Sequence, residues 1–355
     1  QEIRVELTKN PKQKPAPGAP LPFGTIFTDH MFIMNYDEGQ GWHDPRIVPY
    51  GPIEMDPSAM CLHYGQSVFE GMKAYRAQDG RILLFRPDKN MARLNVSNDR
   101  LCIPPIDEEL AKAAIEKLVS VEKDWVPSEE GTSLYIRPFI IGVDPHIGVH
   151  PAHHLLFMVI CCPVGAYYPE GLDPVKIYVE TNYVRAVRGG MGFTKTAGNY
   201  AASLKAQDEA EKQDYTQVLW LDGVERKYIE EVGTMNVFFV IDDEVVTPAL
   251  QGSILSGITR MSCIEMLKSW GMKVSERRLS IQEVADAAAE GRLKEAFGTG
   301  TAAVISPIGH LKWGDDIMEI NNGEIGPLSQ KLYDTLTGIQ WGKIKDEFGW
   351  TVEVK

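Results

Sequence analysis

The chain has 355 residues, with 36 Lys and Arg against 49 Asp and Glu and a formal net charge of −13, so it has no general attraction for nucleic acid or an anionic membrane surface, and an anionic ligand must be caught locally. Hydrophobic residues at 44%, charged at 24% and aromatic at 9% describe an ordinary globular chain, long enough to divide into about two domains. The five cysteines, Cys61, Cys102, Cys161, Cys162 and Cys263, form no C-x-x-C pair, and no apolar run reaches membrane length; the expectation is reduced thiols in a cytoplasmic protein with neither a nucleic-acid nor a membrane partner.

Residues 1–22 are polar and then proline-rich, which favours an extended arm. The folded chain is expected to start at Phe23, with strands over Phe27–Met34 and Ile82–Phe85. Asp107 is placed to cap a helix that carries Leu110, Ala114, Ile115, Leu118 and Val121 on one face and ends before Pro127. Leu134–Arg137 and Leu155–Ile160 read as further strands, which makes 23–166 a mixed α+β domain. Proline and glycine between Pro163 and Pro174 predict a linker over 167–175. Beyond it, 176–355 reads as a second, α/β domain. Its strands include Val175–Val179 and Val237–Ile241, and the capping box Ser280-Ile281-Gln282-Glu283 opens a helix running towards Phe297.

Several stretches carry chemistry. Lys195 sits in Lys195-Thr196-Ala197-Gly198-Asn199-Tyr200, reached through Gly189-Gly190-Met191-Gly192. A lone lysine among small residues has the character of a buried amine awaiting a carbonyl, with its pKa lowered by desolvation; a lysine by itself is more often a solvated loop residue. Ser256-Gly257-Ile258-Thr259-Arg260 opens an apolar-faced helix whose free amides attract anions. Phe297-Gly298-Thr299-Gly300-Thr301-Ala302-Ala303 matches G-x-G-x-x-G/A only superficially, because a helix precedes it and a strand follows, the reverse of a dinucleotide-binding turn. His150-Pro151-Ala152-His153-His154 has no cysteine or carboxylate at ligand spacing and reads as a surface turn, so no metal site is expected. Glu230 and Glu231 are adjacent, and a strand there points them to opposite faces.

Gly198-Asn199-Tyr200, Gln217-Val218-Leu219-Trp220 and Glu231-Val232-Gly233-Thr234-Met235-Asn236 follow one another in an order that resembles the branched-chain amino-acid aminotransferases. These are pyridoxal-phosphate enzymes of fold type IV, and the resemblance runs from about Phe23 to the C-terminus. It implies a two-domain fold, with a smaller N-terminal α+β domain and a larger C-terminal mixed α/β domain that binds the cofactor. It further implies pyridoxal 5'-phosphate held covalently as an aldimine on Lys195. Arg93, in the motif Phe85–Leu94, and Arg185 fall on phosphate-side positions, as do the amides of Ile258 and Thr259, and Thr299. Tyr200 corresponds to the partner of the cofactor's phenolate oxygen. Glu231, with Thr234 beside it, corresponds to the partner of the ring nitrogen, since the cofactor is an electron sink only while that nitrogen is protonated.

For substrate, Leu62–Ala74 resembles the family's N-domain signature, in which Tyr64 reaches the substrate carboxylate of the partner subunit of a homodimer. Phe23, Phe69, Tyr135, Ile147 and Val149 match positions of an apolar side-chain pocket. Thr301 and Ala302 match the substrate-carboxylate loop, and Arg137 matches a residue that meets the distal carboxylate of glutamate or 2-oxoglutarate. The implied activity is transamination between leucine, isoleucine or valine and 2-oxoglutarate. Some animal relatives carry a redox C-x-x-C where this chain has Ala303 and Ser306, so no thiol switch is expected. The alternatives are a fold-mate, such as a D-amino-acid aminotransferase or aminodeoxychorismate lyase, and a phosphate- or nucleotide-binding protein in which Lys195 is structural.

Overall fold

Runs of branched and aromatic residues form strands that are buried on both faces or on one, and they assemble into two sheets. The computed structural model describes residues 1–167 and 172–355, so the linker predicted over 167–175 lies partly outside the described residues. The chain divides into two units: Gln1–Tyr167 with Lys195–Ala197 and Gly338–Lys355, and Tyr168–Thr194 with Gly198–Thr337.

In the first unit, the strands are β1 (Arg4–Val5), β2 (His30–Asp37), β3 (Gly41–Pro49), β4 (Ser67–Phe69), β5 (Met72–Arg76), β6 (Ile82–Phe85), β7 (Ser133–Gly142) and β8 (His154–Val164). They run in the order β1-β3-β2-β8-β7-β5-β6, closed by the C-terminal strand Thr351–Val354, with β4 paired to β7. Pairing is antiparallel except between β1 and β3. The helices are α1 (Met60–Tyr64), α2 (Pro87–Arg100) and α3 (Glu108–Val121). Met91 and Leu94 of α2 and Ile115 and Leu118 of α3 share a core with Phe32, Leu84, Ile136 and Phe157 of the sheet. The predicted cap is present: the Asp107 carboxylate accepts the Leu110 N–H at 3.0 Å.

The last residues correct the sequence division, which carries the second domain to Lys355. Thr351–Val354 instead covers the β6 edge, which would otherwise present a row of unpaired amides and carbonyls. Arg86 fixes this arrangement: its N–H donates to the Trp350 carbonyl at 2.8 Å and its guanidinium lies 4.7 Å from the Trp350 ring centre. With that tail, the first unit is no smaller than the second, where the resemblance implies a larger C-terminal domain.

In the second unit, the elements are β9 (Val175–Val179), α4 (Ala197–Ala201, entered from the first unit), α5 (Leu204–Glu211), β10 (Gln217–Leu221), β11 (Ile229–Val232), β12 (Asn236–Ile241), β13 (Glu244–Thr247), α6 (Ile258–Ser269), β14 (Lys273–Glu276), α7 (Ile281–Ala289), β15 (Leu293–Gly300), β16 (Val304–Trp313), β17 (Asp316–Glu319) and α8 (Pro327–Gln340). The sheet order is β11-β10-β9-β16-β15-β12-β13-β14, with β17 on β16 and both parallel and antiparallel pairs. Phe239, Val237, Leu279, Ile281 and Val284 lie in its core.

Ser280 Oγ accepts the Glu283 N–H at 3.0 Å, as the capping box predicts. The helix nevertheless stops at Ala289 and does not run towards Phe297, because Gly291 at φ +72° turns the chain into β15. The glycine loop at 298–303 is therefore the turn of a β15–β16 hairpin. A dinucleotide-binding turn remains excluded, since neither neighbour is a helix.

Phe157 is fully buried between sheet and helices. Phe157→Ala is expected to destabilise the fold by about 3–5 kcal/mol, read as a lower midpoint of chemical denaturation at an unchanged slope.

Candidate active site

In the first unit, Lys195 is anchored by its backbone. Its N–H donates to Ser97 Oγ at 2.9 Å, its carbonyl accepts the Phe69 N–H at 3.1 Å, and Thr196 bridges Val68 of β4. The amine lies 4.7 Å from the centre of the Phe69 ring. Although the residue is only half-buried overall, desolvation is the largest effect on Nζ, with Arg93 pushing the same way and Glu70 opposing it; the pKa falls to about 8.

Around Lys195, β7 puts Tyr135 and Arg137 two residues apart on one face. Arg137 donates to the Tyr135 hydroxyl at 2.9 Å and stacks over Phe69 at 4.5 Å, and Phe23 meets the Tyr135 ring edge-on at 4.8 Å. Arg93 of α2 makes a two-pronged pair with Glu70, Nε to Oε2 at 2.9 Å and Nη2 to Oε1 at 2.7 Å, while Asn90 also donates to Oε1. Glu70 is fully buried. A paired geometry of this kind fixes a guanidinium as few other contacts do.

In the second unit, Arg185, Thr194, Asn199, Tyr200, Glu231, Thr234 and Leu255 line one cavity. Arg185 Nη2 lies 2.8 Å from Glu231 Oε2 and also donates to the Gly192 carbonyl at 3.1 Å and to the Ser253 carbonyl. Glu231 Oε2 accepts the Leu255 N–H at 3.1 Å. Asn199 Nδ2 donates to the carbonyls of Met191 and Thr194, each at 2.9 Å, which pins the loop that leads into Lys195. Glu230 points away from this cavity: it lines a second one with Asp222, Tyr228 and Arg278, accepts the Ser253 hydroxyl, and has its pKa raised by burial. The alternation expected of two adjacent glutamates on a strand is what β11 shows.

Asn236 connects this cavity to the two anion motifs. It donates to the Leu255 carbonyl at 2.9 Å and pairs in register with Thr299 of β15. Its Oδ1 would lie 2.0 Å from a Cβ on Gly257, the residue that opens α6 without a side-chain cap. The first amides of α6, at Ile258 and Thr259, thus stand near Thr299, whose buried hydroxyl has no hydrogen-bond partner among the described residues. An uncapped helix start beside an orphaned hydroxyl is suited to a phosphate. Thr301 and Ala302 fall in the turn just beyond Thr299, where Val304 holds φ +63°, a strained conformation for a branched residue.

The remaining predicted residues are exposed on the single chain: Tyr64 at 41%, Ile147 at 64% and Val149 at 83%. The sequence gives no reason to single out Glu70, Ser97, Asn199 or Asn236. Glu70 lies inside the quoted signature and Asn236 ends another, so a search for buried polar residues flanking the motifs would find both. The histidine run 150–154 does gain a carboxylate, Asp144, through folding and not through sequence spacing.

The model of class IV amino-transferases matches residues 67–311. The chain is 62% identical over 354 residues to branched-chain-amino-acid aminotransferase 2 of Bacillus subtilis (strain 168), covering all of this chain and 97% of that protein. This chain belongs to the class IV aminotransferases, in the branched-chain amino-acid aminotransferase family. Among solved structures, the T.th. branched-chain amino acid aminotransferase with pyridoxamine 5'-phosphate superposes with a TM-score of 0.75 at 27% identity, covering 91% of this chain and 98% of that one. The same protein complexed with N-(5'-phosphopyridoxyl)-L-glutamate gives 0.73 at 26% identity, with the same coverage. The cofactor is pyridoxal 5'-phosphate. In the second unit, the uncapped α6 start and the orphaned Thr299 hydroxyl are suited to a phosphate and the fixed Glu231 carboxylate to a protonated ring nitrogen; in the first unit, the desolvated Lys195 amine is suited to an aldehyde.

Three outcomes test this geometry. In the apoenzyme, acetylation at Lys195, followed by peptide mass spectrometry from about pH 6 to about pH 10, is expected to rise with a midpoint near 8, since lowering a lysine pKa makes the neutral amine available at lower pH. Glu70→Gln removes a carboxylate that raises the Lys195 pKa, so the midpoint is expected to move lower still. Gly257→Ala puts a methyl group onto Asn236 Oδ1 and is expected to weaken cofactor binding roughly 10-fold or more, measured by fluorescence titration of the apoenzyme.

Proposed function

We propose that this protein transfers the amino group of leucine, isoleucine or valine to 2-oxoglutarate, forming the branched 2-oxo acid and L-glutamate, with Lys195 as the residue that carries the cofactor and moves the proton. The observation that carries the reading is the Lys195 amine, held beside Phe69 with its pKa lowered to about 8. Such an amine is neutral in roughly a tenth of molecules at about pH 7, far more often than an ordinary lysine, and so can serve as a general base.

When bound, pyridoxal phosphate supplies an electron sink for the charge left as the substrate Cα–H bond breaks. Lys195 Nζ takes up that proton and later returns it. Glu231, ion-paired to Arg185 and accepting from Leu255, holds a proton on the ring nitrogen. Arg93, the amides of Ile258 and Thr259, and Thr299 hold the phosphate, while Arg185, expected at the phosphate from the resemblance, acts at the ring-nitrogen end through its pair with Glu231. Tyr200, lining the cavity with Glu231, holds the phenolate oxygen, with Thr234 closing the same wall.

Phe23, Phe69 and Tyr135 offer an apolar wall to a branched side chain, and Thr301 and Ala302 take the α-carboxylate. The second half-reaction needs the same pocket to accept an acidic side chain. Arg137 meets that need: its buried Nε–H has no partner among the described residues and is available to the distal carboxylate. The exposure of Tyr64, Ile147 and Val149 supports a homodimer in which these residues complete the partner's pocket. All five cysteines are free thiols, which supports a reducing compartment such as the cytoplasm.

Steady-state assays with leucine and 2-oxoglutarate test the assignment. Lys195→Ala is expected to lower kcat by more than about 10⁴-fold, and Glu231→Gln by on the order of 10²-fold, both with the cofactor retained. Arg137→Met is expected to raise KM for 2-oxoglutarate while changing KM for leucine little; turnover unaffected by the Lys195 change would remove the proposal.

A further inference from the structure

The loop 143–153 that joins β7 to β8, whose tip carries Ile147 and Val149, folds its two ends together. The donor atoms of Asp144, at its start, and of His150 and His153, near its end, all lie within 4.8 Å of one another. We propose that Asp144, His150 and His153 bind one divalent cation of the zinc type and so tie the loop closed. Two imidazoles and one carboxylate, with water completing the shell, make a donor set that suits a borderline metal ion.

The details favour a ligand set over a chance cluster. Asp144 is buried, and its carboxylate accepts the His153 N–H at 3.1 and 3.0 Å and the His154 N–H at 2.7 Å. Main-chain amides thus orient it as outer-shell partners orient a metal ligand, leaving a further lone pair on Oδ2, the oxygen nearest His150. His150 Nδ1 stands 3.9 Å from Asp144 Oδ2. Among the described residues, its ring nitrogens meet the Pro151 carbonyl at 2.8 Å from Nδ1 and His146 Nδ1 at 3.0 Å from Nε2, contacts that a bound cation would replace.

Donor atoms around tetrahedral zinc stand about 3.3 Å apart, so closure asks for small ring rotations. The His150 and His153 side chains, 26% and 52% exposed, have room for them. Glu38, 3.3 Å from His153 Nδ1, stands within reach as a fourth donor. A neighbouring cluster shows the contrast: each oxygen of Asp37 is taken by a different ring, His43 or His154, both at 2.6 Å, and no position is left where three donors converge.

The inference stands apart from the transamination reading, and its test needs no turnover. The holoenzyme, treated with a chelator and desalted, is titrated with zinc chloride in a calorimeter. One saturable zinc ion per chain is expected. Losing an outer-shell partner already costs roughly 10–100-fold in metal affinity, so His150→Ala/His153→Ala is expected to abolish the binding while its circular dichroism and melting curve match the parent protein. Absence of saturable binding to the parent protein, or equal binding by the double variant, would overturn the proposal.

Discussion

The chemistry proposed for this fold depends on the desolvation of one amine. A lysine in water keeps its proton until far above neutral pH and is then neither nucleophile nor base. The first unit removes that obstacle by setting Nζ over the Phe69 ring and near the Arg93 guanidinium. Glu70 moderates the effect: it neutralises Arg93 through a two-pronged pair and raises the lysine pKa. The result is an intermediate value, close to the pH at which the enzyme must both lose and regain a proton. The bonds from Ser97 and Phe69 to the lysine backbone hold the residue where those opposing influences balance.

The second unit solves a different electrostatic problem. Two adjacent carboxylates on one strand would repel each other if they shared a site. β11 separates them by its pleat, giving Glu231 to the cavity with Tyr200 and Glu230 to the cavity behind. Arg185 then compensates Glu231 directly, and its bond to the Ser253 carbonyl ties it to the loop whose hydroxyl Glu230 accepts. Glu231 is therefore held in place before any ligand arrives, as electrostatic catalysis without reorganisation requires.

Much of this was legible in the sequence where local physics decides. Asp107 and Ser280 cap the helices that follow them, Ile82–Phe85 and Val175–Val179 are strands with the expected bounds, and period two separates Glu230 from Glu231. Local signals failed where a distant partner decides. Nothing in Thr351–Val354 says that its partner is β6, more than 260 residues earlier. The glycine that ends α7 turned an expected helix into the strand β15. Asp144 joins the histidines by loop closure and not by spacing. Glu70 has nothing to single it out until its partner on α2 is known.

The most direct test of the central claim is the visible absorption of the holoenzyme as L-leucine and then 2-oxoglutarate are added. If Lys195 holds the cofactor and both half-reactions share one pocket, the cofactor band is bleached by leucine and restored by 2-oxoglutarate. A band indifferent to leucine would contradict the substrate assignment, and a protein that acquires no band with pyridoxal phosphate would contradict the assignment of Lys195 itself.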